Sequence, residues 1–363
     1  GSTPIRLLPV KGLILAGGSG TRLRPLTYSS AKQLVPIANK PILFYGIAGM
    51  AAAGIREIGI IVGDTADEVR GAVGTGSRWG VEITYIPQEA PLGLAHCVLI
   101  AEGFLGNDTF VMYLGDNMLE EPLSSLTAGF SDGGDASARI LLSKVADPSN
   151  FGVVQLNADN KVERLVEKPV EPSSDLALVG VYIFTPAIHE AVRAIDPSAR
   201  GELEITDAIQ WLIENGNVVE HRIIDGWWID TGKKDPLLEC NQRVLDTITP
   251  DLAGEVDDLS TTEGMVQLAR GARVTRSTIT GPAVIGSDAI IEDSVVGPYA
   301  SIGDRCHLNE VRIDHSVLLP DVTVNGPLSI TDSLVGRHAE IVRRGDNDCQ
   351  RLMVGDHSTI EIG

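Results

Sequence analysis

The residues with the plainest chemical potential stand near the start of the chain. Gly17, Gly18 and Gly20 fall within four positions, Arg22 follows at once, and Lys32 comes ten residues later. Glycine leaves backbone N–H groups uncovered, so such a loop can close around an anion as a nest of donors. A guanidinium and an ammonium close by add full positive charge to the same oxygens. Two common glycine loops do not fit. A dinucleotide fingerprint wants a third glycine where this chain has Leu23, and an acidic residue in a region that offers Asn39 and Lys40; a Walker A loop wants Gly-Lys-Ser/Thr where this loop ends Gly20-Thr21-Arg22. On the loop alone, a turn that binds nothing stays open, because glycine often only punctuates turns.

Two carboxylates follow apolar runs. Asp116 comes after residues 110–114, and Asp230 is framed by Trp228 and Gly232. An aspartate after a strand is often a turn former. Mg2+, however, takes one or two protein carboxylates and completes its shell with phosphate and water, so position alone leaves both readings standing. Glu167-Lys168-Pro169, after the strand-like run 162–166, reads either as an exposed ion pair, common and weak, or as a ligand-binding pair.

The elements that would hold these groups alternate. Residues 12–16 form an unbroken apolar run, which reads as a buried strand. Residues 41–53 are apolar and small, 58–62 read as the next strand, 65–73 as a helix with Asp64 as its cap, 81–86 as a half-buried strand, 94–102 as a helix, and 110–114 as a strand running into Asp116. This order predicts an α/β fold, a Rossmann-like, mostly parallel sheet flanked by helices. Ligands of such sheets sit beyond the carboxyl ends of the strands, where both the glycine loop and Asp116 fall.

The last third is different in kind. Apolar residues recur at steps of five or six, at Ile285, Ile291, Val296, Ile302, Leu308, Ile313 and Leu318, and Gly286, Gly297 and Gly303 each follow an aliphatic residue. That period is a repeat signature of a parallel β-helix, with an antiparallel sandwich as the competing reading. The expected organisation is a first domain over 1–250, an acidic linker over 251–264 and a β-helix over 265–363.

Bulk properties narrow the class. The chain has 363 residues, 43% of them hydrophobic, and a formal net charge of −20. It is long enough for about two domains, and its acidity argues against a nucleic-acid surface, which is normally basic. Cys97, Cys240, Cys306 and Cys349 form no C-x-x-C pair, which suggests neither zinc nor a redox motif and points to a reducing cytoplasm. No apolar run approaches membrane-spanning length, and Gly1-Ser2 reads as an expression scar or a natural start.

Residues 17–23 together with Ala31-Lys32-Gln33-Leu34-Val35-Pro36 resemble the signature of the sugar-1-phosphate nucleotidyltransferases, above all those that transfer a thymidylyl group. Gln88 with Pro91-Leu92-Gly93-Leu94-Ala95, Leu114-Gly115-Asp116-Asn117, Glu167-Lys168-Pro169, residues 200–207 and Trp228-Ile229-Asp230-Thr231-Gly232 follow in the family's order. The resemblance implies that dTTP and α-D-glucose 1-phosphate give dTDP-glucose and pyrophosphate, with Mg2+ held by Asp116 and Asp230. It places the nucleotide at Leu15, Gly17, Gly18, Gly20, Thr21, Arg22, Gln88, Pro91, Gly93, Leu94 and Asp116. The sugar phosphate falls to Asn117, Gly152, Glu167, Lys168, Leu178 and Arg200, and Arg22, Lys32, Asp116, Lys168 and Asp230 are the implied catalytic set. A glutamine both donates and accepts, which suits the imide edge of thymine or uracil. The tail resembles the left-handed β-helix of long-form members, a common oligomerisation surface, so a homo-oligomer is expected.

The implied chemistry needs no general base, since the sugar-phosphate oxygen is already an anionic nucleophile and the protein's work is positioning and charge neutralisation. Alternatives are a relative that uses UTP or another hexose 1-phosphate, and a non-catalytic homologue that binds nucleotide sugar and reports on it. Some bifunctional relatives acetylate in the β-helix. His307, His315, His338 and His357 are present without a motif that matches an acetyltransferase site, so no second active site is expected.

Overall fold

In the computed structural model the run after Val10 is the strand Lys11–Ala16, buried from Gly12 onward. The structure describes residues 10–18, 20–28, 30–130 and 134–343, so Ser19, Cys349 and His357 lie outside the described residues. The chain divides into two units, 1–19 with 43–228 and 20–42 with 229–363.

In the first unit, Lys11–Ala16 lies between Glu57–Val62 and Phe110–Leu114, parallel to both, and Glu82–Pro87 extends the sheet in the same sense. A strand covered on both faces can be apolar throughout, which is why 12–16 do not alternate. Leu176–Phe184, buried at all nine positions, pairs antiparallel with Phe110–Leu114 and with Ala136–Lys144. Gly152–Leu156 and Val162–Glu167 form an antiparallel pair beside it, and Val218–Ile223 runs parallel to Ala136–Lys144. The α/β alternation is as expected; the long strand Leu176–Phe184 turns the sheet from parallel to mixed. Helices Leu94–Ile100, Ala187–Ala194 and Ile205–Glu214 pack on it through a core that includes Leu13, Met112, Phe110, Tyr182, Phe184, Ile188 and Ile209. Each such side chain contributes about 1.5–3 kcal/mol on full burial.

In the second unit short parallel strands stack into a β-helix. The columns Leu268, Ile285, Ile302 and Leu318 and Val274, Ile291, Leu308 and Val324 are continuous by register. Ile285, Ile291, Val296, Ile302, Leu308, Ile313 and Leu318 all point inward. A ladder of serines runs alongside, with Ser277 and Ser294 buried. Ser260 Oγ accepts the Ser277 N–H, Ser277 Oγ that of Ser294, and Ser294 Oγ that of Val311, each at 3.0 Å and each 17 residues on. Every rung satisfies a backbone donor that the core would otherwise orphan. Residues 251–264, expected to join two domains, carry Asp251–Leu252, Glu255–Val256 and Thr261–Glu263, which pair in parallel with the following coil. Their acidic side chains are compatible with strands because those strands are largely exposed.

The helix Lys234–Leu245 and the segment 20–42 also belong to this unit. Pro36–Ile37 and Lys40–Pro41 form a hairpin whose two turn residues, Ala38 (φ 46°) and Asn39 (φ 61°), are both left-handed, as a two-residue hairpin turn requires. The turn is clamped. Buried Asn241 accepts the Ala38 N–H at 2.9 Å and the Ser301 hydroxyl at 2.8 Å, while Asn39 Nδ2 donates to Ile302 O at 2.7 Å.

Candidate active site

The end of the glycine loop lies in the second unit. Gly20 has φ 61°, Thr27 Oγ1 donates to its carbonyl at 2.5 Å, and a Cβ at Gly20 would stand 2.9 Å from Lys32 Cβ. The loop thus closes on the Lys32 stem. Lys32 is 9% exposed, whereas Arg22 is open to solvent. After the strand Trp228–Asp230, Asp230 Oδ1 accepts the Gly232 N–H at 2.9 Å, and this turn brings three groups to one place. A Cβ built on Gly232 would lie 2.9 Å from Asp230 Oδ1, 3.0 Å from Arg22 Nη2 and 3.1 Å from Lys32 Nζ. The guanidinium, ammonium and carboxylate expected to act in catalysis meet around a glycine that leaves them room.

The first unit groups the rest. Gly115 N–H donates to Leu15 O at 2.9 Å, so the turns after Lys11–Ala16 and Phe110–Leu114 leave the sheet side by side. Asp116 Oδ1 accepts from Asn117 Nδ2 at 3.0 Å, and Asn117 Oδ1 accepts the Trp228 indole N–H at 2.7 Å. Asn117 is buried, and Gly180 in the facing strand makes space for it, since a Cβ there would come within 2.5 Å of Asn117 Oδ1.

The expected sugar residues cluster. A Cβ at Gly152 would meet Thr206 Cγ2 at 2.9 Å, and Glu167 Oε2 and Leu178 Cβ at 3.4 Å, while Thr206 Oγ1 donates to Glu167 Oε2 at 3.4 Å. Burial raises the Glu167 pKa and the Glu204 carboxylate adds to the shift; Lys168 and Arg200 oppose it. Lys168 holds φ 42° ahead of Pro169, with its N–H on Phe151 O at 3.0 Å. A bulky residue in that conformation is strained, and such strain gathers at functional sites. Arg200 is already engaged. Its guanidinium binds the buried Glu204 at 2.9 and 3.0 Å and Glu202 at 3.0 Å, so its charge is shared before any ligand arrives.

At the expected base-reading residues, Gly93 has φ 107° and a Cβ there would fall 2.4 Å from Leu203 O; only glycine fits. Leu203 N–H donates to Leu92 O and its carbonyl accepts from Ala95 N–H, which fastens residues 92–95 to the 200–207 segment. Leu94 opens the helix Leu94–Ile100, and Gln88 Oε1 lies 3.6 Å from where a Cβ on Gly17 would stand. Gly18, Thr21 and Pro91 are exposed. Sequence reasoning left out Thr206, Gly180 and His96 as site residues. Gly180 had a readable signal, since a glycine inside a buried apolar strand marks a close approach.

Among the described residues no three His, Cys, Asp or Glu gather into a metal cage, and Cys97, Cys240 and Cys306 are free thiols. Asp116 in the first unit and Asp230 in the second each carry a hard oxygen donor of the kind a divalent cation takes. Of the tail histidines, Nε2 of His307 lies 3.1 Å from Glu292, Nδ1 of His315 lies 3.1 Å from Asp314, and Nδ1 of His338 lies 4.0 Å from Asp321. Each has a local acidic neighbour. No helix among the described residues is long and apolar enough to cross a membrane.

Comparison with known proteins identifies the family. Residues 11–247 match the nucleotidyl transferase family and residues 253–333 match the GlmU-like C-terminal hexapeptide family. A glucose-1-phosphate thymidylyltransferase of Streptomyces antibioticus is 53% identical over 97% of this chain and 99% of its own length, and that of Streptomyces griseus is 49% identical over 97% and 99%. A crystal structure described as a glucose-1-phosphate thymidylyltransferase of Bacillus anthracis with sucrose aligns at a TM-score of 0.62 and 34% identity, over 67% of this chain and 98% of that one. With the nucleotidyl transferase family matching residues 11–247 and its hexapeptide coils forming a left-handed β-helix, the chain belongs to the nucleotidyl transferase family.

Proposed function

We propose that this enzyme makes dTDP-glucose and pyrophosphate from dTTP and α-D-glucose 1-phosphate. One observation carries the reading, the convergence of Arg22, Lys32 and Asp230 on Gly232. The reaction joins two anions, and its barrier is in large part their repulsion. A phosphate oxygen of the sugar phosphate attacks the α-phosphorus of the nucleotide; the new P–O bond forms in line as the bond to the β-phosphate oxygen breaks, and pyrophosphate leaves. Uncovered amides at Gly17, Gly18 and Gly20, with Arg22 and Lys32, hold the departing phosphates. Lys168 and Arg200 receive the sugar phosphate, and Glu167, Asn117, Gly152 and Leu178 shape the hexose subsite. Leu15, Gln88, Pro91, Gly93 and Leu94 take the base.

Asp116 and Asp230 are the carboxylates that would hold a divalent cation, Mg2+ in our reading, which when bound neutralises charge on the reacting phosphates. The catalytic part ends near residue 250, and the β-helix behind it serves assembly into a homo-oligomer. A cytoplasmic setting suits the free thiols and the nucleotide substrate. The test offers dTTP, UTP, ATP, CTP and GTP in turn with glucose 1-phosphate and Mg2+, following pyrophosphate. Turnover with dTTP supports the proposal, turnover with UTP alone favours the uridylyl alternative, and turnover with none favours a binding protein.

A further inference from the structure

Gln88 is held from one side. Its amide nitrogen Nε2 lies 3.0 Å from Nδ1 of His96 and 3.5 Å from the carbonyl of Gly93. A carbonyl can only accept, so the edge of the amide facing Gly93 is the NH2. The imidazole nitrogen beside that NH2 must then accept as well, which makes His96 a neutral ring with its proton on Nε2. The amide has one orientation left. Its carbonyl oxygen Oε1 faces Gly17, 3.6 Å from where a Cβ on that residue would stand, at the mouth of the glycine loop. The helix Leu94–Ile100, anchored through Leu203 to residues 92–95, fixes the histidine that enforces this.

We infer that His96 is a specificity-positioning residue: by taking the Gln88 NH2 it turns a bare acceptor toward the nucleotide and selects pyrimidines that carry a hydrogen on N3. The inference rests on the proposed function, which puts the base beside Gln88. Thymine and uracil donate from N3–H to Oε1. Cytosine has a lone pair at N3, so two acceptors would face each other and a buried polar group would go unpaired, the situation that gives hydrogen-bonding sites their large discrimination. If the amide could rotate, Gln88 would serve either base equally well.

Two measurements test this on the full-length protein. Long-range 1H–15N spectra of histidine-labelled enzyme, with the His96 signal identified by its loss in His96→Asn, should show Nδ1 unprotonated and Nε2 protonated at neutral pH. A proton on Nδ1 overturns the inference, whatever the activity. Separately, kcat/KM is compared for dTTP and dCTP. His96→Phe, which keeps bulk but cannot accept, should lower the preference for dTTP ~10-fold or more, mainly through KM; His96→Asn, which restores an acceptor near the same place, should recover most of it. An unchanged preference in His96→Phe overturns the inference, and if that variant does not fold, His96→Ala replaces it. Failure of the unmodified enzyme to use dTTP or UTP would instead overturn the functional reading, and the spectra keep the two failures apart.

Discussion

Asp230 and Gly232 close a three-residue turn through Thr231, in which the aspartate carboxylate accepts the glycine N–H at 2.9 Å. The turn fixes the carboxylate, and the missing Cβ leaves the gap that Arg22 Nη2 and Lys32 Nζ approach. A side chain acts here by its absence.

Gly232→Ala should therefore damage activity more than stability. The new methyl would meet three atoms at 2.9–3.1 Å, but two of them are ends of long side chains that can swing aside. Folding survives and the constellation does not. Displacement by a fraction of an ångström to 1 Å costs catalysis about 10²-fold, so kcat/KM should fall by that order while the melting temperature moves little. Loss of both together would point to a structural turn only.

Asn117 links two parts of the first unit, donating to Asp116 and accepting from Trp228. Asn117→Ala strands the indole N–H and removes the amide donor from Asp116 Oδ1. Stability should drop by about 1–3 kcal/mol in denaturant titration. The KM for glucose 1-phosphate should rise, since the residue is also assigned to the hexose. Unaltered KM would remove it from that subsite.

Glu167 gives a pH signature. Burial, with help from Glu204, raises its pKa, so the folded protein binds this proton more tightly than the unfolded chain. Its stabilising contribution is therefore complete below the ordinary glutamate pKa and is lost as pH rises through the raised one. Melting curves of the unmodified protein should fall away from those of Glu167→Gln as pH rises from about 4 toward neutrality. Parallel curves would contradict the shift. In kinetics the variant should raise KM for the sugar phosphate ~10-fold.

Asn241 ties the hairpin turn at Ala38 to Ser301 in the β-helix. Asn241→Leu leaves a buried N–H and a hydroxyl without their acceptor and should cost about 2–4 kcal/mol. Asn241→Asp keeps an acceptor and should cost less. Chemical denaturation distinguishes the two, and equal losses would mean that volume, not hydrogen bonding, matters there.

The readable parts of the sequence were those governed by one local rule. The unbroken apolar runs at 12–16 and 110–114 became buried strands with the glycine loop and Asp116 at their ends, and the five-to-six-residue apolar step gave the inward column from Ile285 to Leu318. What stayed hidden depends on distant partners. Nothing near Leu176–Phe184 tells that it reverses the sense of the sheet, because a strand covered on both faces looks alike in either direction. The acidic composition of 251–264 masked strands whose partners lie a coil further on. The pairing of Arg200 with Glu204, the clamp on Gln88 and the gathering around Gly232 are tertiary facts, and only the last was implied, by family resemblance.

The central claim is that Arg22, Lys32 and the divalent cation that Asp230 would help to hold lower the repulsion between two phosphates, and Asp230→Asn tests it most directly. The amide keeps the shape and an acceptor for the Gly232 N–H while removing the charge. Pyrophosphate release from dTTP and glucose 1-phosphate, measured beside the melting temperature, should show kcat lower by about 10²–10³-fold with the fold intact. A kcat within about threefold of the unmodified enzyme would contradict the account, since a loss below 1 kcal/mol is too small for a group at the reacting phosphates.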